Sequence, residues 1–505
     1  EGGTGGAAGL SGPAASGWNN GPRKLLYMRV IFEDSLQEPQ TEAQAWSAIE
    51  QLNDYFAEVS FGKVFYLADV TPAILLPRSR AWYTADYTAT GSNSPIMTDA
   101  KEAARALGYN PDNYQHFTVI YTGGTGNGPG TFGGLGSVGG ANVWLRTTSI
   151  GTFAHEIGHN VGLWHGNSWD SNRTIGVSWN TSLTRDVIGG GLNGEYGHSY
   201  DVLGSSGSFT GNKGHFMAHH KNLMNWLPTE TVAAATTSGV YRIFPMDQTV
   251  LDPERRYALR VTKDAGRDYW VDFRQKYNAD HRWFRDGVLL HWSRWGQNQV
   301  GSEYQVVGGN RGGQLLDTTP GSADGKNDAP VVIGRTFSDR ESGVHITPLG
   351  KGGTTPESMD VQVHLGFFPG NNAPVIHSLT ASTTTPALNG TVNFSVDATD
   401  PDGDPLAYFW DFGDATYGVN AAAASKQFTT ARHHAVRCIV SDMKGGETSK
   451  LVLITAGAPS TRTASGRVLD GLGNPVAEVR IQNGSTGTSF RGAWTDSNGD
   501  FVVPN

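Results

Sequence analysis

Between Thr152 and His165 the chain reads Thr-Phe-Ala-His-Glu-Ile-Gly-His-Asn-Val-Gly-Leu-Trp-His, and no other stretch restricts the fold as much. His155 and His159 are four residues apart, so on a helix they stand on one face and can grip a single ion. Ile150, Phe153, Ala154, Ile157 and Val161 recur at helical spacing beside them, which predicts a helix with one buried face. Gly162 can take the left-handed conformation that ends a helix, letting the chain double back so that His165 joins the pair. Neutral imidazoles suit Zn²⁺, at about 2.0–2.1 Å in a tetrahedral site, and three protein ligands leave one position open, as catalytic zinc requires. Glu156, next to the first ligand, is placed to take a proton rather than to hold the metal. Lone histidines are usually packing or surface residues. In a chain with 15 His and 67 Gly, however, the full H-E-x-x-H-x-x-G-x-x-H pattern arises by chance on the order of 1 in 10,000 times.

That pattern is the metzincin signature, and the flanking residues resemble the gametolysin-like branch of metzincin peptidases. Gly139-Gly140-Ala141-Asn142-Val143-Trp144-Leu145 is similar to that family's edge strand ahead of the active-site helix. Tyr196-Gly197-His198-Ser199-Tyr200-Asp201-Val202-Leu203-Gly204 is similar to its Met-turn, followed by Ala218–Leu227. The resemblance runs over roughly residues 24–228, with a looser match beyond. It implies an α+β metzincin-type catalytic domain with zinc on His155, His159 and His165 and with Glu156 as general base. Ala141, Asn142, Val143 and Trp144 would let an extended substrate add as a further strand, held by backbone hydrogen bonds; the alternative is an edge strand covered by a loop. Leu203 stands where the family has its turn methionine, a swap of similar volume that keeps an apolar floor under the metal. Ser205 occupies the place from which astacin-like and serralysin-like relatives supply a tyrosine ligand, so no such ligand is expected there. His198 and Tyr200 are read as packing residues, and His215, His219 and His220 as structural or surface histidines.

Size and composition bound the rest. At 505 residues there is room for about three or four domains. Only 17% of residues are charged, and the 67 glycines favour loop-rich β structure over helical bundles. A net charge of −9 without a Lys/Arg cluster argues against nucleic acid or an anionic membrane as partner. No apolar run approaches the roughly 18–20 residues of a membrane span. Cys438 is the single cysteine, so there is no internal disulfide, and no thiolate in the preceding segment can cap a metal. N-x-S/T triplets at Asn172, Asn180, Asn389, Asn393 and Asn483 matter only in a eukaryotic secretory host.

Along the chain, residues 1–22 are expected to be a flexible leader or pro-segment remnant. The catalytic domain follows at 23–228, with a buried strand at Lys24–Phe32. A helix comes next, with Thr41 and Gln44 at capping-box spacing and Ala45, Ile49, Leu52, Phe56 and Val59 on one face. A strand at Val64–Val70, a helix at Thr98–Leu107 and a strand at His116–Tyr121 complete its first half. The Gly-rich run 123–140 lacks the ending of a phosphate loop and is read as a feeder to the edge strand. The metzincin resemblance puts the substrate side pocket near Trp169, Trp179 and the stretch 189–194, which would then shape specificity. Residues 229–370 alternate as a β-sandwich. Asp317, Asp324 and Asp328 could hold Ca²⁺, but their spacing fits no loop signature and solvated turns are expected.

After the linker Asn371–Pro374, residues 371–457 resemble a PKD-type, immunoglobulin-like module, on Asp400-Pro401-Asp402-Gly403-Asp404-Pro405 and Trp410-Asp411-Phe412-Gly413-Asp414. Residues 458–505 resemble the start of a carboxypeptidase-regulatory-like β-sandwich that a longer natural chain would complete.

The chain is thus expected to be multidomain, an α+β metzincin-type domain followed by all-β sandwiches, acting as a secreted zinc endopeptidase on extracellular proteins or glycoproteins. The alternatives are a peptidase specific for mucins or cell-wall glycoproteins, and a non-catalytic adhesin. The C-terminal β modules would offer glycan or matrix contact.

Overall fold

The computed structural model describes residues 19–122, 133–171, 187–205, 214–276, 282–294, 313–320, 322, 325–354, 356–459, 463–483 and 491–504. Residues 1–18, Asn172, Trp179, Asn180 and Asp324, all named above, lie outside them.

The first unit is built on strands β1 (Gly21–Ile31), β2 (Val64–Leu75), β3 (His116–Tyr121), β4 (Gly134–Gly136) and β5 (Asn142–Leu145), in the order β2-β1-β3-β5-β4. All pair in parallel except β4, which runs antiparallel to β5. Helix α1 (Glu42–Val59) starts where the capping box predicts: Gln44 N–H donates to Thr41 Oγ1 at 3.2 Å and Thr41 N–H to Gln44 Oε1 at 2.8 Å. Its predicted face is buried, with Tyr55 added to it. Helices α2 (Arg80–Thr90) and α3 (Ser94–Ala106) cover the opposite face of the sheet through Tyr83, Ile96, Met97, Ala100 and Ala104. α2 was not expected, because Tyr83 is its sole buried residue and only its end residues, Ser79 and Gly91, mark it. Helix α4 (Ile150–Asn160), carrying the histidine motif, lies with α1 in a core that also takes Leu25, Tyr27, Leu203, Phe216 and Trp226.

The edge expected at Ala141–Leu145 needs correction. β5 is hydrogen bonded on both sides, to β3 and to β4, so among the described residues the outermost strand at this end of the sheet is Gly134–Gly136. Val143 and Trp144 are buried, and the Asn142 side chain accepts from Lys101 Nζ at 3.0 Å. Three residues, two of them glycine, carry no alternation from which to read a strand.

The second unit does not begin cleanly after Pro228. Strands β6 (Gly166–Ser171) and β7 (Gly191–Gly194) follow His165 and join β8 (Val232–Ala235), β10 (Ala258–Asp264), β11 (Arg267–Asp272), β12 (Gly287–Arg294) and β13 (Gly313–Leu316) in one sheet. β14 (Val331–Val332) pairs β12, and β6 pairs β13 in parallel. Helix α5 (Ala218–Leu223) is buried at this junction. β9 (Gly239–Ile243), β15 (Phe337–Asp339), β16 (Val344–Gly352) and β17 (Ser358–Leu365) make a second sheet, and Trp169, Leu259, Tyr269, Trp292, Ile346 and Val361 fill the space between the two. A sandwich is therefore present, but its first sheet borrows two strands from the segment carrying the histidine motif.

Residues 375–455 form two three-stranded sheets, β18 (Val375–Ala381), β19 (Thr391–Thr399) and β21 (Ala423–Gln427) against β20 (Ala407–Asp411), β22 (His433–Ser441) and β23 (Glu447–Thr455). Trp410 fills their core as expected, its Nε1–H donating to Ala421 O at 2.8 Å. This sandwich is docked on the preceding one through Val332, Phe409 and Ile439. The chain ends in two strand pairs, β24 (Thr463–Arg467) with β27 (Asp500–Pro504) and β25 (Arg480–Asn483) with β26 (Arg491–Trp494).

Candidate metal centre

Helix α4 opens with Ser149 as N-cap, its hydroxyl accepting from Thr152 N–H at 3.3 Å, and ends at Gly162, where φ is +97°. The turn after it returns the chain toward the helix, and His165 meets His155 and His159. One nitrogen from each ring lies within 4.8 Å of those of the other two. Among the described residues this is the single group of three potential ligands.

The second nitrogen of each ring decides what the first can do. His155 Nδ1 is 2.8 Å from Val202 O, His159 Nδ1 is 2.8 Å from Leu163 O, and His165 Nδ1 is 2.7 Å from Glu195 Oε1. These oxygens can only accept, so the ring protons sit on Nδ1 and all three Nε2 atoms present bare lone pairs. His155 Nε2 and His159 Nε2 are nonetheless 3.1 Å apart. Two lone pairs held that close repel unless a cation lies between them. A tetrahedral zinc at about 2.0–2.1 Å from each nitrogen separates them by about 3.3–3.4 Å, so this pair fits zinc, and the third imidazole completes a donor set of the right chemistry. Burial drives the His155 and His159 imidazoles down, to about 4 and about 3, which keeps them neutral and ready to ligate.

Glu156 is 6% exposed and lies beneath β4. A Cβ on Gly134 would fall 2.6 Å from Glu156 Oε1, and one on Gly136 would fall 2.4 Å from the Glu156 carbonyl oxygen. Only glycine lets the strand lie this close. Burial pushes the Glu156 carboxyl up to about 8, against a lowering hydrogen bond from the Gly136 backbone. A bound dication would oppose that push.

Leu203 is fully buried under the helix, with Cδ2 2.8 Å from where a Cβ on Gly158 would stand, beside Phe216. The turn holding it is organised by Asp201, whose carboxylate accepts from Leu203 N–H at 2.8 Å and Met217 N–H at 2.7 Å. The Val202–Leu203 peptide thus joins Asp201 at its N–H to His155 at its C=O.

Sequence reasoning missed Glu195 and Tyr196. The β6–β7 hairpin pairs Ser168 with Gly194, and continuing that register brings Glu195 and Tyr196 back to His165. The Tyr196 ring centroid is 3.7 Å from that of His165 and 5.8 Å from that of His155, and its backbone adopts φ +58°. No local pattern marks either residue; the signal is the pairing of two strands about 20 residues apart. Of the other histidines, His198, His215, His219 and His220 are all buried, so the surface alternative for the last three does not hold. Asp317 and Asp328 are met by their own turn: Thr319 N–H donates to Asp317 at 2.9 Å, and the Thr319 and Ser322 hydroxyls donate to Asp328 at 2.6 and 2.8 Å. Nothing among the described residues gathers them around a calcium ion.

The Peptidase M66 family model matches residues 75–181, the segment that contains α4 and all three histidines, and the PKD domain model matches residues 371–455. Peptidase M66 is a zinc metallopeptidase family, so the first match supports a metal-dependent peptidase. Similar solved structures include the PKD domain of an M14-like peptidase from Thermoplasmatales archaeon SCGC AB-540-F20, at 21% identity and TM-score 0.16, covering 17% of this chain and 95% of that one. The PKD1 domain of Vibrio anguillarum Epp matches at 27% identity and TM-score 0.15, covering 18% and 99%. The PKD1 domain of the Vibrio cholerae metalloprotease PrtV matches at 26% identity and TM-score 0.15, covering 17% and 99%. No curated protein matches the chain. PKD domains are typical of extracellular proteins, and among the described residues no helix is long and apolar enough to cross a membrane.

Proposed function

We propose that the chain is a secreted zinc endopeptidase of metzincin type, close to the gametolysin-like branch, with a catalytic region at 23–228. The observation that carries this reading is the convergence of three bare Nε2 atoms, each with its Nδ1 held by an oxygen, beside a buried Glu156. His155, His159 and His165 would hold zinc, which would supply a Lewis acid for the scissile carbonyl and acidify water. Glu156 accepts the proton of the water as its oxygen attacks the carbonyl carbon. The same carboxyl then returns that proton to the leaving nitrogen as the C–N bond breaks. The substrate is an extended peptide lying as a further strand along β4, the outermost described strand at this end of the sheet, where Leu135 is 40% exposed. Ala141, Asn142, Val143 and Trp144 support that strand from behind. Leu203 serves as the apolar floor that methionine provides in relatives.

Substrates are extracellular proteins or glycoproteins, with the PKD-type module and the carboxypeptidase-regulatory-like residues 458–505 as contacts to glycan or matrix. Cleavage profiling on matched glycosylated and bare substrates separates a glycoprotein-specific enzyme from a general one. Chelator-sensitive cleavage of casein or gelatin separates both from a non-catalytic adhesin. The Glu156→Ala variant is expected to keep its metal and lose nearly all turnover; wild-type turnover in that variant removes the role given to Glu156.

A further inference from the structure

The turn that orients His155 is held from the other side by the β-sandwich. Tyr200 N–H donates to His198 Nδ1 at 3.1 Å, so the neutral His198 carries its proton on Nε2. That atom lies 2.8 Å from His291 Nε2 on β12, which must accept, leaving the His291 proton on Nδ1, 3.7 Å from Asp272 Oδ2. Arg274, just after β11, closes the ring: its Nε donates to Asp272 Oδ1 at 3.0 Å and its Nη1 to Tyr200 O at 2.8 Å. His198, Asp272, Arg274 and His291 are each 1% exposed or less. A guanidinium buried that fully is costly unless its partners are well placed, so this is a built tie and not a chance contact.

Two residues beyond Tyr200, the Val202 carbonyl takes the His155 proton, and Gly166 N–H, next to His165, donates to Leu203 O at 2.9 Å. We infer that Arg274 and His291 are positioning residues of the metal centre: the β-sandwich fixes, through Tyr200 and His198, the turn whose carbonyl sets the tautomer and tilt of His155. The inference rests on the metallopeptidase reading. It makes the region after residue 229 part of the peptidase site, in keeping with the sheet that β6 and β7 share with β10–β13.

The test uses the full chain and the metal alone as probe. Zinc affinity is measured by chelator competition, and the Co²⁺-loaded protein is read by its visible absorption. Arg274→Lys keeps the charge beside Asp272 but loses the second arm to Tyr200 O; His291→Phe removes the His198 partner, and His291→Gln restores a polar one. Lys263→Met breaks a different buried ion pair of the same sandwich, with Asp339, and controls for lost stability. Arg274→Lys and His291→Phe are expected to bind zinc about 10–100-fold more weakly and to shift the Co²⁺ spectrum. His291→Gln should recover most of the affinity, and Lys263→Met should lower the melting temperature with wild-type affinity and spectrum. Wild-type affinity and spectrum in folded Arg274→Lys, together with either the same result or misfolding in His291→Phe, overturn the inference, as does equal weakening in Lys263→Met. Absence of zinc from the wild-type triad is a distinct result, one that defeats the peptidase reading itself.

Discussion

Glu195 gives the most quantitative handle on the metal centre. Its Oε1 lies 2.7 Å from His165 Nδ1, and the two side chains are 41% and 14% exposed respectively. Replacing it with alanine removes the single side-chain oxygen that fixes the His165 tautomer, so Nε2 no longer carries the lone pair in every molecule. Losing an outer partner of a metal-bound histidine typically costs 10–100-fold in affinity. Solvent can reach this carboxylate and water can partly replace it, which places Glu195→Ala near the lower end, about tenfold, or about 1.4 kcal/mol. Glu195→Gln keeps an amide oxygen that can accept from Nδ1–H and loses only the charge, so it should fall by no more than about threefold, under 1 kcal/mol. Chelator competition at fixed pH reads both numbers, with circular dichroism to show that the fold is intact. Wild-type affinity in Glu195→Ala, or a larger loss in Glu195→Gln than in Glu195→Ala, would refute the argument from tautomer control.

Leu203→Ala opens a cavity under α4 and should cost about 2–5 kcal/mol in denaturant unfolding, whereas Leu203→Met should cost less than about 1.5 kcal/mol and keep the metal. Equal losses in the two would show that the site is not a packed floor. Gly134→Ala sets a methyl against the Glu156 carboxylate and should lower kcat at least tenfold with zinc content unchanged; an unaltered kcat means β4 does not lie where the structure puts it. Burial holds His291 down at about 4, below the unfolded value of about 6.5. Between these two values the unfolded chain binds the extra proton, so stability is present above pH 6.5 and falls as pH drops toward 4. Denaturant midpoints at pH 7 and pH 5 should therefore differ more in the wild type than in His291→Gln; identical pH dependence counts against a neutral buried His291.

What could be read in the sequence is what depends on near neighbours. The capping box of α1 and its apolar stripe, the histidine spacing on α4 and the Gly162 turn each depend on residues within one helix or its end, and each appears as expected. The margin of the sheet was misplaced because β4 is three residues long and gains its position by lying on α4, where Gly134 and Gly136 clear Glu156. Glu195 and Tyr196 were invisible because a hairpin register, not a motif, returns them to His165. The sharing of one sheet across Pro228 was hidden for the same reason: a composition shift marks where β alternation starts, but β6 pairs with β13 almost 150 residues later. Trp410 was legible because a large aromatic between Asp-Gly turns has one place to go in a sandwich.

Metal analysis of purified protein tests the central claim most directly. Wild type and Glu156→Ala are expected to hold one zinc per chain, and His155→Ala, His159→Ala and His165→Ala to hold none. Full zinc occupancy after loss of His165, or X-ray absorption showing a fourth protein ligand in the mature enzyme, would contradict the account.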